Sequence, residues 1–295
     1  MLHFARRLPD AADGDIAVDH RFKRLFRFRA LVRGYATERL EIVFRRHWLD
    51  RVYLNAIGPY LQGQLLEPLM YDQLLRRDTL LMHAAGVVDD GEAVLLAAHG
   101  GTGKTSLSLA LMSHGFPLLG DDLIMVDVPA RVASPYARPL HIFTYNVGRL
   151  RNGRVPVRYR IAIWLKDRIR TVLGALTGQK FLISTRIHAD EVYPDIRFGA
   201  PSPLGRLVIL TRDLERPERV AVAGRVDEIV AEIIDTADLN DDLYRLVGER
   251  RDEVEERERA VIGALVRGFD EIVRLNPRKL DLDDLPAIRR ALDGE

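Results

Sequence analysis

Seven consecutive residues, His99-Gly100-Gly101-Thr102-Gly103-Lys104-Thr105, combine side chains and spacing that suit phosphate chemistry. An apolar run, residues 93–98, precedes them, and Ser106-Leu107-Ser108-Leu109-Ala110-Leu111-Met112 follows with the composition of a helix. Between a strand and a helix, a glycine-rich turn lets backbone N–H groups point into one concavity, and the helix start adds its positive dipole end. Lys104 would supply a mobile cation for the β- and γ-phosphates, and the Thr105 hydroxyl a ligand for Mg²⁺. On this reading His99, Gly100, Gly101, Thr102, Gly103, Lys104, Thr105 and Ser106 bind the nucleotide. Ala98 stands where the usual pattern has its first glycine. The plainer alternative is an ordinary glycine turn before a helix. The motif's specificity favours a nucleotide-phosphate site.

Such a site needs carboxylates and a route for a proton. Residues 79–88 read as an apolar strand, and Asp90-Gly91 as a two-residue hairpin turn. That turn sets Asp89 opposite Glu92 and, by extension of the register, His83 opposite Ala98 at the mouth of the glycine turn. A histidine on an apolar strand is either a satisfied core residue or, placed there, a catalytic one. Two acidic candidates follow the helix, which ends at His114-Gly115. If residues 117–119 form a strand parallel to the first, its end delivers Asp121 and Asp122 beside Lys104. If residues 123–126 do so, Asp127 arrives instead. Spacing alone leaves both open.

Composition narrows the class. The chain has 295 residues, enough for one large domain or two smaller ones, with 47% hydrophobic and 29% charged residues. A net charge of +1 favours neither nucleic acid nor membrane as a partner. There is no cysteine, which excludes disulfides, thiolate catalysis and Cys-ligated zinc. Arg6, Arg7, Asp10 and Asp13 interrupt any signal-peptide core, so a cytoplasmic protein is expected. Only five of the 44 basic residues are lysine, so arginine clusters carry less meaning here than usual.

The remaining elements read as follows. Residues 1–15 look like a polar lead-in. Residues 22–32 and 40–44 look like strands with one wet face. The interleaving Phe26-Arg27-Phe28-Arg29 could stack bases, but an amphipathic strand is the simpler account. Gly58-Pro59 marks a turn, and Leu61, Leu65, Leu69, Leu74 and Leu75 recur at helical spacing, with Pro68 as a kink or boundary. Residues 148–160 read as an excursion whose Arg149, Arg151, Arg154, Arg158 and Arg160 form either a lid over phosphates or a solvated basic face. A helix should then run to Leu173, followed by a strand near 181–184 and a buried strand at 207–210. Val226, Ile229, Val230, Ile233 and Ile234 mark one amphipathic helix. Leu243 through Val273 mark a longer one, stopped by Asn276-Pro277. This divides the chain into an N-terminal mixed α/β segment (1–76), a nucleotide core (77–224) and a C-terminal helical region (225–295).

Three features together resemble the HPr kinase/phosphorylase superfamily, including the looser kinases found beside lasso-peptide genes. They are His83 in Met82-His83-Ala84-Ala85-Gly86-Val87, the glycine turn ending at Thr105, and the double aspartate in Gly120-Asp121-Asp122. The separations of His83, Lys104 and Asp121 are also similar to that family's, as is the segment 135–141 with Arg138-Pro139-Leu140. The resemblance covers residues 79–145. It implies an α/β fold with a P-loop nucleotide-binding core of the HPr kinase/phosphoenolpyruvate carboxykinase type. It also implies that Asp121 and Asp122, rather than Asp127, serve the site. One of the pair would accept a proton from a hydroxyl acceptor and the other would help hold Mg²⁺, for which Thr105 and Asp122 are the candidates. His83 would tune or relay the proton, and Lys104 would complete the catalytic set. ATP and Mg²⁺ are the implied cofactors. The chain has no downstream Glu-Leu-Arg-Gly-Leu-Gly-type signature, so neither HPr as acceptor nor a phosphorylase is implied.

The expected function is therefore an ATP-dependent kinase acting on a serine of a protein or peptide, or on a small metabolite. The alternative is a P-loop NTPase acting as a regulatory module without phosphotransfer. Neither a Leu-Ser-Gly-Gly nor an Asn-Lys-x-Asp motif occurs, which removes transporter-type ATPases and GTPases. A membrane partner is not expected, nucleic acid is disfavoured, and a homo-oligomer is compatible with the sequence.

Overall fold

The computed structural model describes residues 2–22, 26–35, 39–45, 62–136, 138–142, 155–177, 185–193, 195–236 and 240–295. The chain divides into two compact units, Met1–Asp72 with Leu239–Val254, and Gln73–Asp238 with Glu255–Glu295. Among the described residues no helix is long and apolar enough to cross a membrane.

In the first unit, β1 (Leu2–Ala5), β2 (Ile16–Phe22), β3 (Phe26–Arg33) and β4 (Glu41–Arg45) form a four-stranded sheet in the order β1-β4-β3-β2. Residues 2–5, expected as polar lead-in, form an edge strand parallel to β4. Phe4 explains the difference, because its ring meets the buried Phe44 edge-on at 5.8 Å. Gly58-Pro59 and Leu61 lie outside the described residues. Helix α1 (Glu67–Leu75) continues directly from a π-helical turn (Gln62–Leu66), and Pro68 stands where one gives way to the other, at the boundary its position predicts.

The second unit is built on one mixed sheet. Its strands are β5 (Thr79–Met82), β6 (Ala84–Asp89), β7 (Glu92–Ala98), β8 (Leu118–Gly120), β9 (Ile124–Asp127) and β10 (Val132–Ser134). A separate ribbon pairs β11 (Leu140–Ile142) with β12 (Thr185–Ile187). The sheet continues with β13 (Ser202–Leu210), β14 (Glu218–Ala221) and β15 (Glu271–Leu275). Its order is β5-β9-β10-β13-β7-β6-β8, with β15 also on β13 and β14 on β15. Strands β7, β13 and β15 are mutually parallel, and the apolar runs 93–98 of β7 and 207–210 of β13 fit a position covered on both faces. Helix α2 (Lys104–Ser113) packs on β6 and β7 through Leu107 and Leu111, both fully buried.

The hairpin register is the one read from Asp90-Gly91: Asp89 faces Glu92 and Ala84 faces Ala97. Both turn residues have positive φ, 49° and 87°, as a tight hairpin requires. The expected single strand over 79–88 is two strands broken at His83. β5 pairs with β9, whereas β6 pairs with β7 and β8, so the chain changes partners at the histidine.

Further helices are α3 (Val157–Thr177), α4 (Ala189–Val192) and α5 (Val226–Asp235). The long helix expected over 243–273 is instead α6 (Asn240–Val247), a 3₁₀ turn, α7 (Arg251–Arg267) and then strand β15. Ile272 and Val273 satisfy helical spacing, but they are buried as sheet residues beside β13. The last helix, α8 (Leu285–Leu292), starts at Asp284, whose side chain accepts the Ala287 N–H. The expected strand at 181–184 lies outside the described residues.

Candidate functional site

The site is assembled from three strand ends. β7 ends at Ala98, which is fully buried and paired with Leu210. Its methyl belongs to the core, which accounts for alanine where the usual motif begins with glycine. The turn 99–103 follows. Gly103, with φ 125° and ψ 12°, is the helix N-cap, and no side chain caps α2. A helix that starts without a side-chain cap leaves its first N–H groups to water or a ligand. At Gly103 a Cβ would lie 2.8 Å from Pro277 Cγ. Gly103→Ala is therefore expected to cost about 2 kcal/mol or more, combining strained φ with the clash. Thermal denaturation checks it.

β8 is antiparallel to β6, which is antiparallel to β7, so β8 runs in the direction of β7. The residues after it, Asp121 and Asp122, therefore arrive at the end of the sheet where α2 begins. Asp127, the competing candidate, sits at the far end of β9 opposite Thr79 and accepts the Ala130 N–H at 2.9 Å. Strand direction thus places Asp121 and Asp122, and not Asp127, beside the glycine turn.

The two neighbouring carboxylates have opposite surroundings. Asp121 is buried and accepts hydrogen bonds from Ser108 Oγ at 2.7 Å and Thr105 Oγ1 at 3.3 Å. Asp122 accepts from Arg138 and from His83 Nε2 at 3.2 Å, and its Oδ1 lies 3.9 Å from Lys104 Nζ. Thr105 thus meets Asp121, not Asp122, which was its expected companion at a metal. Burial and the charge of Asp122 push the Asp121 carboxyl up, against the donors Ser108 and Thr105 and the charge of Lys104. Burial would also raise Asp122, but the His83 bond and the Lys104, His83 and Arg138 charges hold it well below the usual carboxylate range.

His83 is clamped from both sides. Its Nδ1 lies 2.5 Å from the carbonyl of Thr236, the C-cap residue of α5, and its Nε2 faces Asp122. A carbonyl only accepts, so Nδ1 donates there. The carboxylate also accepts, so both bonds form together only when both ring nitrogens carry protons.

These opposite surroundings give opposite pH signatures. A raised folded pKa means that Asp121 favours the fold most below the unfolded carboxylate value, an advantage lost as pH rises through the higher folded value. A depressed folded pKa means that Asp122 stabilises the fold above the unfolded value, a contribution lost as pH falls below about 4. Asp121→Asn is accordingly expected to gain on the order of 1 kcal/mol at pH 7, roughly 2–4 °C in Tm. Asp122→Asn should flatten the acid limb of stability instead. Urea denaturation of the three proteins between pH 3 and 8 checks both signs.

Among the other expected site residues, Thr102 is buried and its N–H donates to the His99 carbonyl at 3.2 Å. His99 is exposed and pairs with Asp235 at 3.2 Å. Gly100 has open space around it, and Ser106 lies in the first turn of α2. Arg149, Arg151 and Arg154 lie outside the described residues, whereas Arg158 pairs with Glu191 at 2.6 Å. Four contributors were missed as site residues. Arg138 and Ser108 hold the aspartates, and Thr236 holds His83. Tyr193 is the fourth: burial and the Asp121 charge push its hydroxyl up to about 12. The hydroxyl is buried without a hydrogen-bond partner among the described residues. Arg138 stands in the segment 135–141 that the resemblance singles out, although no role attaches to it there, whereas Ser108, Thr236 and Tyr193 join the site through tertiary contact alone.

Among the described residues, no group of three or more His, Cys, Asp or Glu side chains converges as a metal cage. No family model matches the chain, and no curated protein matches it significantly.

Proposed function

We propose that the chain is an ATP-dependent phosphotransferase with a P-loop kinase core, moving the γ-phosphoryl group to a hydroxyl acceptor. One observation carries this reading: Lys104, Thr105, Asp121, Asp122 and His83, drawn from three separate segments, interact directly at the end of the sheet where an uncapped helix starts. A glycine turn alone would not need that company.

The residues fit a Mg²⁺–nucleotide. Magnesium prefers oxygen ligands and is held by one or two carboxylates, a hydroxyl and substrate phosphates rather than by a protein cage. Thr105 and Asp121 supply such oxygens, and Thr105, which donates its proton to Asp121, keeps acceptor capacity on its oxygen. This supports Asp121, rather than Asp122, as the carboxylate on the metal side. When bound, the ion would neutralise charge on the phosphate oxygens.

Lys104 then holds the β- and γ-phosphates, while Asp122, with 27% of its side chain exposed, reaches the acceptor hydroxyl. The acceptor oxygen bonds to the γ-phosphorus, the bond from that phosphorus to the β-bridging oxygen breaks, and ADP leaves. The hydroxyl proton passes to Asp122 and on to solvent. Asp122 is a weak base in its cationic surroundings. That suffices for a loose transition state, in which positioning and charge stabilisation dominate. His83 fixes the carboxylate that receives the proton.

The same weak basicity supports a second reading, a nucleotide-binding regulatory module that does not transfer phosphate. Incubation with γ-labelled ATP, Mg²⁺ and a cell extract separates them. Label on an organic acceptor, absent with Asp122→Asn, supports the kinase. Label released only as inorganic phosphate, or no turnover, supports the module.

A further inference from the structure

We propose that Arg212 and Arg278 form a phosphate-binding clamp on the outer lip of the glycine turn. The inference rests on the reading of that turn as a nucleotide-phosphate site. Arg212 Nη2 donates to the Gly101 carbonyl at 2.6 Å, and Arg278 Nη2 donates to the same oxygen at 3.3 Å. Two guanidinium groups thus converge on one neutral acceptor. Among the described residues neither meets a carboxylate, although Lys279 beside them pairs with Glu215 at 2.8 Å. Like charges held together without an anion repel each other, and a bound anion would remove that cost. Each guanidinium uses one N–H at Gly101 and keeps further donors in a fork that matches phosphate oxygens.

The convergence is built in. Arg212 follows β13 and Arg278 follows β15, strands parallel to β7, so all three carboxyl ends open on one side, where ligands of such sheets bind. The buried Asn276 ties the two segments together. Its Nδ2 donates to the carbonyls of Arg212 at 2.8 Å and Leu214 at 3.1 Å, and its Oδ1 accepts the Arg278 N–H at 3.1 Å. The Thr211 N–H donates to the Leu275 carbonyl at 2.9 Å, and Pro277 packs under Gly103. A buried side chain that spends its amide on holding two cation-bearing loops implies that their placement matters.

The ligand is a phosphate group, either one of the nucleotide's own or one carried by the acceptor. The test is calorimetric titration of the full chain and of the double variant Arg212→Gln/Arg278→Gln with three probes. These are ATP with Mg²⁺, ADP with Mg²⁺, and inorganic phosphate in the presence of saturating ADP. Glutamine keeps a donor for the Gly101 carbonyl and removes the charge. A loss of at least about tenfold for ATP or ADP assigns the clamp to the nucleotide's phosphates. A loss confined to inorganic phosphate assigns it to a separate phosphate. Both results require an unchanged Tm and unchanged hydrogen exchange at Gly101–Gly103 in ligand-free protein. Binding of all three probes equal to the parent overturns the proposal. So does weakened binding with accelerated exchange, which makes the arginines mere braces. Should the double variant fail to fold, each single variant undergoes the same titrations under the same criteria. A parent protein that ignores ATP defeats the kinase reading instead, so the two failures are distinguishable.

Discussion

Lys104→Met is expected to lower phosphoryl transfer by about 10²–10³-fold and to weaken Mg²⁺–ATP binding, with little change in fold stability. Lys104 is 8% exposed, so its stem is packed and methionine fills similar space. What is lost is a pre-positioned cation in a largely water-excluded setting, and removal of one such group elsewhere costs that range in turnover. Asp122 keeps Arg138 and His83 as partners, so no buried charge is stranded. Initial rates, nucleotide titration and a melting curve test the three parts together. A turnover within threefold of the parent contradicts the role given to Lys104.

The second large effect belongs to Asp122→Asn. Turnover should fall by about 10²–10⁴-fold, the range ascribed to a positioned proton acceptor, while the Kd for Mg²⁺–ATP stays within about threefold. Stability should fall as well, because Arg138, His83 and Lys104 lose their common anion. Removing one partner of a fully buried pair costs about 3–5 kcal/mol. With 27% of the Asp122 side chain exposed, water screens part of that, and about 2 kcal/mol is expected. Asp121→Asn, one residue away, is expected to change stability in the opposite direction. That contrast cannot come from a general perturbation of the turn after β8. Rates, titrations and urea denaturation at pH 7 decide it, and equal stability changes in the two variants would contradict the electrostatic account.

What the sequence reveals here follows from locality. The Asp90-Gly91 turn fixes its own register, so the approach of His83 to the end of β7 is legible without any tertiary information. The glycine turn announces itself because Gly101 and Gly103 need positive φ, 77° and 125°. The aspartates required knowledge of strand direction, which depends on whether β8 or β9 pairs next to β6, a non-local fact. β15 reads as helix because Ile272 and Val273 extend a helical spacing from Phe269, although Gly268, just past the end of α7, offers a stop signal. The break at His83 was hidden because β5 and β6 are equally apolar and differ only in their partners. Arg138 stands in a segment that the resemblance singles out, but its closure on Asp122 is a tertiary contact that no spacing specifies.

The central claim, that the turn ahead of α2 grips a nucleotide triphosphate through Lys104 and Mg²⁺, is tested most directly by calorimetric titration of the ligand-free protein with ATP, with and without Mg²⁺, beside Lys104→Met. The account predicts saturable one-to-one binding that Mg²⁺ strengthens and Lys104→Met weakens. No heat from ATP with Mg²⁺, or identical isotherms for the parent and Lys104→Met, would contradict it.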